Sequence, residues 1–483
     1  MPDDAPRPFP EDIPDSIETI HIIGICGTAM GSLAAMLKER GYRVRGSDAM
    51  AYPPMSTWLK ERDIDIMLGY DESNLDWDPD LVIVGNVCRA EYGDAVATRE
   101  RGFPHLSFPE ALRHFFFEGK KPLVITGTHG KTTTTAMLAW ILHEAGQDPS
   151  FFVGGVTGNF DSNYRLGDGD HFVIEGDEYD TAYFDKVPKF WHYAPHRATI
   201  NNVEYDHADI YPDIETIESM FEEFAALIPD DGSLWVNGDD RRAMEVSTPC
   251  DSPVKTFGLG TDNDLRAVEI DYGLTTHVEV TLHGESLGTF ELNAIGEFNA
   301  RNMLGAAAVA LDEGIDVDTI KDAMATFERV QKRQEVIAEI DDILVIDDFA
   351  HHPTAVQSTL EALRTTFPDR RLWAIFEAKS NTSRRRVFQN DYPTAFAPAD
   401  RVVLSRPFDK KDDLSDDERI DIDKMVTDIE RLGPDADLIP DVDEIVEWLI
   451  ARLEPGDIVA GLSGSDFDGF HGKLADALRE NHG

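Results

Sequence analysis

The segment Gly127-Thr128-His129-Gly130-Lys131-Thr132 combines residue types that can hold a phosphoryl group during its transfer. Backbone N–H groups in a glycine-bounded turn at a helix N-terminus can surround phosphate oxygens, because no side chain blocks them. The Lys131 ammonium would neutralise the β- and γ-phosphates, and the Thr132 hydroxyl would reach Mg²⁺. Ile125 stands where the general phosphate-loop pattern has glycine, so an ordinary strand–turn–helix junction is the alternative. The Gly-Lys-Thr directly between strand and helix favours phosphate binding.

A second glycine-rich turn follows the first apolar strand of the chain. Gly24, Gly27 and Gly31 precede Asp48, and an acidic residue about twenty positions after such a turn can bind a ribose hydroxyl. The spacing differs from Gly-x-Gly-x-x-Gly, so a nucleotide site and tight strand–helix packing both remain open. Cys26 in this turn is interpreted as a small buried residue rather than as a nucleophile.

Three groups of polar side chains follow predicted strands, which is where α/β folds place their sites. Carboxylate and amide oxygens suit Mg²⁺, and an imidazole can join them. In so acidic a chain any one group is more simply explained as a solvated loop, but three of them beside a phosphate loop favour a shared site. The groups are Glu175, Asp177, Glu178 and Asp180; Asn201, Asn202, Glu204, Asp206 and His207; and Asp347, Asp348, His351 and His352.

The elements that must position these residues alternate between apolar strands and helical stretches. This alternation indicates an α/β fold with largely parallel sheets. Helices are predicted after the two glycine-rich turns, at Ser32–Arg40 and Ala136–Leu142. The main predicted strands are Ile20–Ile23, Tyr42–Arg45, Leu81–Val84, Leu123–Thr126, Phe172–Ile174, Ala198–Ile200, Ile343–Ile346, Leu372–Phe376, Val402–Leu404 and Ile458–Leu462.

A chain of 483 residues has room for about three domains, each with its own core. Residues 1–17, rich in Pro and Asp, predict a disordered tail. We assign an N-terminal Rossmann-like domain to residues 18–119 and a central P-loop-type ATPase domain with a mostly parallel sheet to residues 120–330. A C-terminal Rossmann-like domain is assigned to residues 331–483. Within it, Asp409–Asp423 is predicted to be a solvated insertion without a chemical role.

The composition excludes partners that need a cationic surface. Asp and Glu total 92 against 44 Lys and Arg, which gives a net charge of −48. Such a surface repels nucleic acid and anionic lipid. Only 15 of the 44 basic residues are Lys, and an acidic, Lys-poor surface favours adaptation to high salt, where screening weakens self-repulsion. A generally acidic proteome is the alternative explanation.

Other features predict a cytoplasmic protein. No apolar run approaches the ~18 residues that indicate a membrane span. The N-terminal segment Met1–Pro6 lacks the basic start and apolar stretch of a signal peptide. Cys26, Cys88 and Cys250 are odd in number and far apart, so neither a disulfide framework nor a cysteine metal cluster is expected. These observations favour a reducing compartment.

Taken together, the motifs resemble those of the Mur ligase family, which builds the peptide of the bacterial cell wall. The resemblance runs from about Ile20 to about Leu474. It implies three domains that bind a UDP-sugar, ATP and a peptide, in that order. The segments that carry it are Gly24–Thr28, Tyr52–Ser56, Gly127–Thr132, Glu175–Asp180 with Phe184–Lys186, Glu204–Asp209, Asp347–Thr354 and Ser380–Thr382.

The resemblance also implies roles for individual residues, with ATP and Mg²⁺ as the cofactors. The implied UDP-sugar contacts are Gly24, Gly27, Thr28, Asp48, Gly85 and Asn86. The implied ATP contacts are Gly127, Thr128, His129, Gly130, Lys131, Thr132, Thr133, Asn299, Asn302, Arg333 and Asp348. The implied metal ligands are Thr132 and Glu175 for one Mg²⁺ and His207 for a second, and the implied catalytic residues are Lys131, His207, Arg333 and Asp348. The implied peptide contacts are His351, Lys379, Ser380, Asn381 and Thr382.

The implied reaction joins the carboxylate of UDP-N-acetylmuramate to the amine of the murein tripeptide L-Ala-γ-D-Glu-meso-diaminopimelate. Attack of the carboxylate on the ATP γ-phosphate gives an acyl phosphate, from which phosphate leaves readily. Lys131, Arg333 and Mg²⁺ would offset the repulsion between the anions. Within the family, ligation of free L-alanine is the alternative. From other classes, a non-catalytic UDP-sugar sensor and a nicotinamide dehydrogenase remain, although the dehydrogenase leaves the phosphate loop unexplained.

The chain departs from the family pattern at two places. Many members have a carbamylated lysine about fifteen residues after the metal-binding histidine, but Met220–Phe224 contains none. Glu222 or Glu223 is the expected substitute for its carboxylate. The loop Leu462–Phe467 replaces a more glycine-rich loop, which leaves its contacts undetermined. A monomer or a weak homo-oligomer is compatible with the sequence.

Overall fold

The computed structural model describes residues 10, 13–406, 414, 415 and 417–482. Three large β-sheets, of five, ten and six strands, follow one another along the described part of the chain, and helices pack against each of them. The predicted three-domain α/β fold is therefore confirmed. In the described residues, no helix combines the length and the apolar character that crossing a bilayer would require.

The N-terminal sheet is fully parallel, with the strand order β3-β2-β1-β4-β5. The order reverses beside β1, and a crevice for a ligand lies at the carboxyl ends of the strands where such a reversal occurs. The elements are β1 (Thr19–Ile23), α1 (Thr28–Glu39), β2 (Arg43–Asp48), α2 (Met55–Lys60), β3 (Asp65–Leu68), a 3₁₀ helix (Glu72–Leu75), β4 (Leu81–Val84), α3 (Gly93–Arg101), β5 (His105–Ser107) and α4 (Phe108–Phe116).

The central domain is built on a larger sheet. Its elements are β6 (Lys121–Thr126), α5 (Lys131–Glu144), β7 (Ser150–Thr157), β8 (Ser162–Arg165), β9 (His171–Glu175), β10 (Asp180–Ala182), β11 (Asp185–Pro188), a 3₁₀ helix (Lys189–His192), β12 (Arg197–Ile200), α6 (Ile214–Ala226), β13 (Ser233–Asn237), α7 (Arg241–Val246), β14 (Val254–Gly258), β15 (Leu265–Asp271), β16 (Thr276–Leu282), β17 (Glu285–Leu292), α8 (Glu297–Asp312) and α9 (Val317–Ala325). The strand order is β17-β16-β15-β14-β13-β12-β6-β9-β7-β8, while β10 and β11 pair separately. Strands β6, β9 and β12 are parallel neighbours, so the loops that follow them meet at one edge.

The C-terminal sheet has the order β18-β19-β23-β20-β21-β22, and β18 is its antiparallel edge strand. Its elements are β18 (Glu335–Ile340), β19 (Ile343–Asp348), α10 (Pro353–Thr366), β20 (Leu372–Glu377), a 3₁₀ helix (Arg386–Phe388), α11 (Tyr392–Ala395), β21 (Arg401–Leu404), α12 (Ile422–Leu432), β22 (Asp435–Leu438), α13 (Val442–Ile450), β23 (Ile458–Ser463), a 3₁₀ helix (Phe467–Gly469) and α14 (Phe470–His482).

Continuous apolar runs form the central strands because both faces of these sheets are covered. All four residues of β4 are fully buried, as are Leu123, Val124 and Ile125 of β6. Helix α5 packs against α8, whose interior carries Gly305 and several alanines. Small residues let the two helix backbones approach closely, so α5 is held firmly behind the phosphate loop.

Two predicted helices begin earlier in the structure than in the sequence analysis. Helix α1 begins at Thr28 rather than Ser32, and α5 begins at Lys131 rather than Ala136. The four threonines Thr132–Thr135 are β-branched and have a low intrinsic preference for helix. In the structure the Thr135 hydroxyl donates to the Lys131 carbonyl at 2.8 Å, and the packing of the helix outweighs its propensity.

The predicted tail and insertion lie partly outside the described residues. Of the tail, residues 1–9, 11 and 12 are not described, whereas Ile13 and Ile17 pack against the hydrophobic core. Of the insertion, residues 409–413 and 416 are not described. Its described end departs from the prediction of a solvated segment, because Ile420 and Ile422 are buried and α12 begins at Ile422.

Candidate active site

A cavity of about 640 Å³ lies between the central and C-terminal domains. Its wall includes the phosphate loop, the loops after β9 and β12, the start of α8 and the loop after β19. All of these are carboxyl ends of strands or starts of helices, where parallel sheets bind ligands. All three polar groups predicted from the sequence therefore contribute to this wall, although Asp180 and Asp347 do not line it.

The phosphate loop has the geometry that anion binding needs. Gly127 and Gly130 have φ angles of +127° and +82°, which L-residues with a side chain rarely adopt. A Cβ at position 130 would also lie 2.3 Å from Asn302 Oδ1. The loop is fixed from the neighbouring strand end, because the His129 N–H donates to Asn202 Oδ1 at 2.7 Å. Its helix, α5, begins directly at Lys131.

Lys131 and His207 are linked by one buried carboxylate, that of Glu178. Lys131 Nζ donates to Glu178 Oε2 at 2.8 Å, and His207 Nε2 lies 3.0 Å from Glu178 Oε1. Burial opposes ionisation of Glu178, but the Lys131 and His207 charges outweigh it and lower the pKa to about 2. Burial would lower the Lys131 pKa, yet Glu178 and Asp177 outweigh burial and raise it. The Glu178 carboxylate therefore keeps the Lys131 ammonium charged and positioned at the phosphate loop.

Thr132 and Glu175 form the part of the site that fits a magnesium ion. The Thr132 hydroxyl donates to Glu175 Oε2 at 2.8 Å. Adjacent oxygens around octahedral Mg²⁺, bonded at 2.0–2.1 Å, are about 2.9 Å apart. Gly154 makes room for this carboxylate, because a Cβ there would lie 2.3 Å from Glu175 Oε1. The spacing and the hard oxygen donors both fit the ion.

The electrostatic state of Glu175 points to the same cation. Burial, followed by the charge of Asp177, raises the pKa of Glu175 to about 7, despite the Thr132 hydrogen bond. A carboxyl group with such a raised pKa ionises more readily when a divalent cation binds beside it. His207 faces Glu178 rather than Glu175 in this structure, and its backbone has a positive φ of 52°. His207, the ligand predicted for a second Mg²⁺, therefore contacts Glu178 and not the Thr132–Glu175 pair.

The segment from Arg329 to Gln334 joins the central and C-terminal domains along the cavity wall. Arg333 Nη2 lies 3.5 Å from the Thr132 hydroxyl, and burial lowers the Arg333 pKa. Asp348 accepts hydrogen bonds at 2.8 Å from the Gln334 and Ala350 N–H groups. Burial raises the pKa of Asp348 although Arg333 opposes this. Asp348 therefore holds the segment, and Arg333 reaches the phosphate loop.

Asn299 and Asn302 lie one turn apart at the start of α8, on the cavity wall. Asn302 Nδ2 donates to Asn299 Oδ1 at 3.2 Å, and Asn299 Nδ2 donates to the Ile295 carbonyl at 2.9 Å. Amide side chains offer both donors and acceptors, which suits the edge of a nucleobase. The geometry is compatible with the predicted adenine contact.

The predicted UDP-sugar residues gather at the crevice of the N-terminal sheet. Gly24 follows β1, Asp48 ends β2, and Gly85 follows β4. Asp48 Oδ2 accepts from the Cys26 N–H at 2.9 Å, so this acid supports the glycine-rich turn. Gly24 has φ +83°, and a Cβ there would meet Cys88 Sγ at 2.9 Å. Gly27 and Asn86 lie in the same two turns, and Thr28 begins α1.

A second cavity of about 190 Å³ lies between the N-terminal and central domains. Its wall includes Thr28 from the UDP-sugar group and Glu175 from the metal pair. Lys189 also lines it, with Nζ 3.4 Å from Asp177 Oδ2 and 4.1 Å from the centre of the Tyr179 ring. An anionic substrate that extends from the first crevice towards the phosphate loop would pass this buried cation. The sequence analysis did not identify Lys189, because its neighbours in the sequence form no recognisable motif.

The predicted peptide residues lie on the C-terminal domain, beside the cavity. His351 lines the cavity, and its Nδ1 lies 2.9 Å from the Phe349 carbonyl. Asn381 Nδ2 donates to Asp209 Oδ2 of the central domain at 2.7 Å. Lys379 Nζ lies 3.5 Å from Glu377 Oε1, and the Ser380 hydroxyl donates to Ser383 Oγ at 2.8 Å. Thr382 is buried.

The expectation that Glu222 or Glu223 supplies a site carboxylate is wrong in this structure. Both side chains are exposed on α6, whose buried face carries Phe221 and Phe224. Neither lines the cavity. The amphipathic period of α6 turns these two positions to solvent, and Glu178 is the carboxylate that contacts both Lys131 and His207.

Several site residues had no sequence signal that singled them out. Arg329, Lys332 and Gln334 line the cavity, and Arg329 Nη1 donates to the Gln334 carbonyl at 2.8 Å. Lys332 and Gln334 have φ angles of +58° and +51°. The Gly154-Gly155 pair inside β7 did carry a sequence signal, since glycine within a strand often marks a place where another group approaches the backbone closely.

Comparison with known proteins identifies related sequences over almost the whole chain. A model described as "Mur ligase family, catalytic domain" matches residues 19–117. One described as "Mur ligase middle domain" matches residues 125–310, and one described as "Mur ligase, glutamate ligase domain" matches residues 332–464. The matches follow the order of the three sheets.

Individual relatives extend the comparison. UDP-N-acetylmuramate–L-alanyl-γ-D-glutamyl-meso-2,6-diaminoheptandioate ligase of Escherichia coli K12 is 37% identical over 95% of this chain and 98% of its own. UDP-N-acetylmuramate–L-alanine ligase of Alkaliphilus metalliredigens is 31% identical over 93% and 95%. The crystal structure of a murein peptide ligase from Psychrobacter arcticus is 33% identical, with a TM-score of 0.70 over 95% of this chain and 98% of that one.

Proposed function

The chain belongs to the Mur ligase family, and we propose that it joins UDP-N-acetylmuramate to the tripeptide L-Ala-γ-D-Glu-meso-diaminopimelate at the expense of ATP. The observation that carries this proposal is the 37% identity over 95% of the chain to the Escherichia coli ligase named for that reaction. Two of the proposed substrates, ATP and UDP-N-acetylmuramate, are cytoplasmic nucleotides. We therefore propose that the reaction occurs in the cytoplasm.

The site offers what the first step of this reaction requires. A carboxylate oxygen of UDP-N-acetylmuramate attacks the γ-phosphorus of ATP, the bond to the β-phosphate oxygen breaks, and ADP leaves. Lys131, held by Glu178, faces the anions that meet in this step, and Arg333 approaches the same loop. Fixed cations aimed at developing charge are usually a large source of rate enhancement. The resulting acyl phosphate has a good leaving group.

The proposed cofactor is Mg²⁺, with one ion held by Thr132 and Glu175 and a second held by His207. When bound, it supplies a Lewis acid that polarises phosphoryl oxygens and offsets their charge. Thr132 and Glu175 orient their oxygens towards each other at the spacing of neighbouring ligands. Gly154 preserves that arrangement, because any larger residue would displace the Glu175 carboxylate.

In the second step the tripeptide amine attacks the acyl carbon and inorganic phosphate leaves. The amine loses its proton in this step, and an amide bond forms. The cavity between the central and C-terminal domains would surround the reacting atoms, which would limit hydrolysis of the acyl phosphate by water. Asn381, bonded to Asp209 across the two domains, is the residue that we propose for contact with the peptide.

Ligation of free L-alanine is the second candidate, because a relative named for that reaction is 31% identical over 93% of the chain. A single experiment separates the two functions. The protein is given ATP, Mg²⁺ and UDP-N-acetylmuramate with either the tripeptide or L-alanine, and the product is identified by its mass. We expect the tripeptide product and a higher kcat/KM for the tripeptide. Equal or better use of L-alanine would overturn the assignment but keep the ATP chemistry.

Phosphate release in the same assay tests the remaining alternative. The proposed reaction releases phosphate only when ATP, Mg²⁺, the UDP-sugar and the amine are all present. A protein that binds the UDP-sugar but forms no amide with either amine would instead be a sensor. The relatives named above are all ligases, which favours turnover.

A further inference from the structure

A cluster of two histidines and one glutamate lies on the cavity wall, apart from the Thr132–Glu175 pair. His129 Nε2, Glu204 Oε2 and His352 Nδ1 all lie within 4.8 Å of one another. The three residues come from distant parts of the chain: the phosphate loop, the segment after β12, and the position before α10. They join the central domain to the C-terminal domain.

The spacing of these atoms fits a tetrahedral metal ion. Zinc bonds imidazole nitrogen at 2.0–2.1 Å and carboxylate oxygen at 2.0–2.2 Å, so two of its ligand atoms are about 3.3–3.5 Å apart. Glu204 Oε2 lies 3.3 Å from His129 Nε2 and 3.7 Å from His352 Nδ1. Two of the three separations are therefore close to the tetrahedral spacing, and the third, between the two imidazole nitrogens, is within 4.8 Å.

The surroundings of the cluster orient its members as ligands. His352 Nε2 lies 3.2 Å from the Tyr205 carbonyl, which acts as its acceptor and leaves the lone pair on Nδ1. The Thr354 hydroxyl donates to Glu204 Oε2 at 2.6 Å. Metal-binding histidines and carboxylates usually have such outer partners. An ion would replace two long contacts of 3.3 Å, one from the Thr354 N–H to His352 Nδ1 and one between His129 Nε2 and Glu204 Oε2.

We propose that His129, Glu204 and His352 bind one borderline divalent transition-metal ion, of the Zn²⁺ or Co²⁺ class, with water as the fourth ligand. Two imidazoles and one carboxylate select such an ion over Mg²⁺, which prefers six oxygens. The ion would tie the phosphate loop to the start of α10. This site is distinct from the one proposed for Mg²⁺, and its occupancy does not depend on peptide ligation.

Cobalt provides a direct test, because tetrahedral Co²⁺ absorbs visible light far more strongly than octahedral Co²⁺. The metal-stripped full-length protein is kept in excess Mg²⁺, so that Thr132 and Glu175 are occupied, and is titrated with Co²⁺. We expect one equivalent of Co²⁺ to give the tetrahedral spectrum, and Zn²⁺ to abolish it. An octahedral spectrum, or no saturable binding, would refute the proposal.

Matched variants locate the ion. Glu204→Gln keeps an acceptor for Thr354 and His129, and His352→Asn keeps a side chain that can cap α10. Each should weaken Co²⁺ binding by about a hundredfold or more, since even outer partners cost 10–100-fold. Circular dichroism confirms that each variant is folded. His277→Ala, at an exposed pair with Glu291, is the control that should bind as wild type does.

His207→Ala separates this site from the one proposed for Mg²⁺. The variant should keep the tetrahedral spectrum, because His207 faces Glu178 and not this cluster. If the signal is lost in His207→Ala and survives in Glu204→Gln and His352→Asn, Co²⁺ occupies the other site and the proposal is wrong.

Discussion

Lys131→Met tests whether the buried ion pair with Glu178 serves catalysis, stability or both. The side chains are 12% and 3% exposed, and their atoms are 2.8 Å apart. Removing one partner of a buried pair costs about 3–5 kcal/mol, because the other charge stays buried without compensation. His207 still faces the second Glu178 oxygen at 3.0 Å, so we expect the lower end, about 3 kcal/mol.

The double variant Lys131→Met/Glu178→Gln separates the two roles. Once both charges are gone, no uncompensated carboxylate remains, and most of the lost stability should return. Activity should not return, because the cation at the phosphate loop is still missing. We expect phosphate release in both variants to fall by a factor on the order of a hundred or more, which is about 2.7 kcal/mol.

Urea unfolding followed by linear extrapolation gives the stabilities, and phosphate release with all substrates gives the rates. Lys121→Met is the matched control, because its half-exposed ammonium, at the start of β6, forms only a long pair of 4.0 Å with Glu313. The control should change stability by less than about 1 kcal/mol. Near-normal turnover in Lys131→Met would refute the catalytic role. Stability losses that simply add in the double variant would refute the pairing.

Three further predictions follow from charge, cross-domain contact and burial. The midpoint of unfolding should rise between low salt and about 1 M KCl, where the Debye length is ~3 Å, and a flat midpoint would contradict salt adaptation. Asn381→Ala should remove the hydrogen bond to Asp209 and lower kcat/KM for the tripeptide about tenfold, without changing KM for ATP. A KM for ATP that changes as much as kcat/KM for the tripeptide would contradict this prediction. Glu313, bonded to His171 and Arg197, has its pKa lowered to about 2, so its stabilisation is complete above pH 4.5 and is lost as pH falls towards 2. Glu313→Gln should therefore cost about 2 kcal/mol at pH 7, and acid titration should erase the difference from wild type.

The sequence was sufficient to predict the site wherever a local pattern and a sheet rule acted together. Thr132 follows β6 and Glu175 ends β9, and these strands are parallel neighbours with Ile125 opposite Glu175. Because parallel strands present their carboxyl ends at one edge, polar residues after each strand were expected to meet. The same rule brought Asp348 and His207 to the cavity.

The remaining features depended on contacts between distant segments. Gly154 is needed because Glu175 packs against it, and the glycine alone does not name its neighbour. Lys189 lies in a cavity made by two domains, and Gln334 reaches Asp348 only after the linker has turned through positive φ. The expectation for Glu222 and Glu223 was wrong, because a match to a family pattern does not determine which face of the helix a residue occupies.

The linker from Arg329 to Gln334 makes the two halves of the active site thermodynamically dependent on each other. The Gln331 N–H donates to the Val156 carbonyl of the central sheet, and the Lys332 carbonyl accepts from Phe349 of the C-terminal domain. Any ligand that favours one arrangement of this segment must also favour the C-terminal domain position that goes with it. By reciprocity, the factor by which ATP changes peptide affinity equals the factor by which the peptide changes ATP affinity. A substitution that loosens the linker should therefore weaken that mutual dependence while leaving each isolated affinity nearly intact.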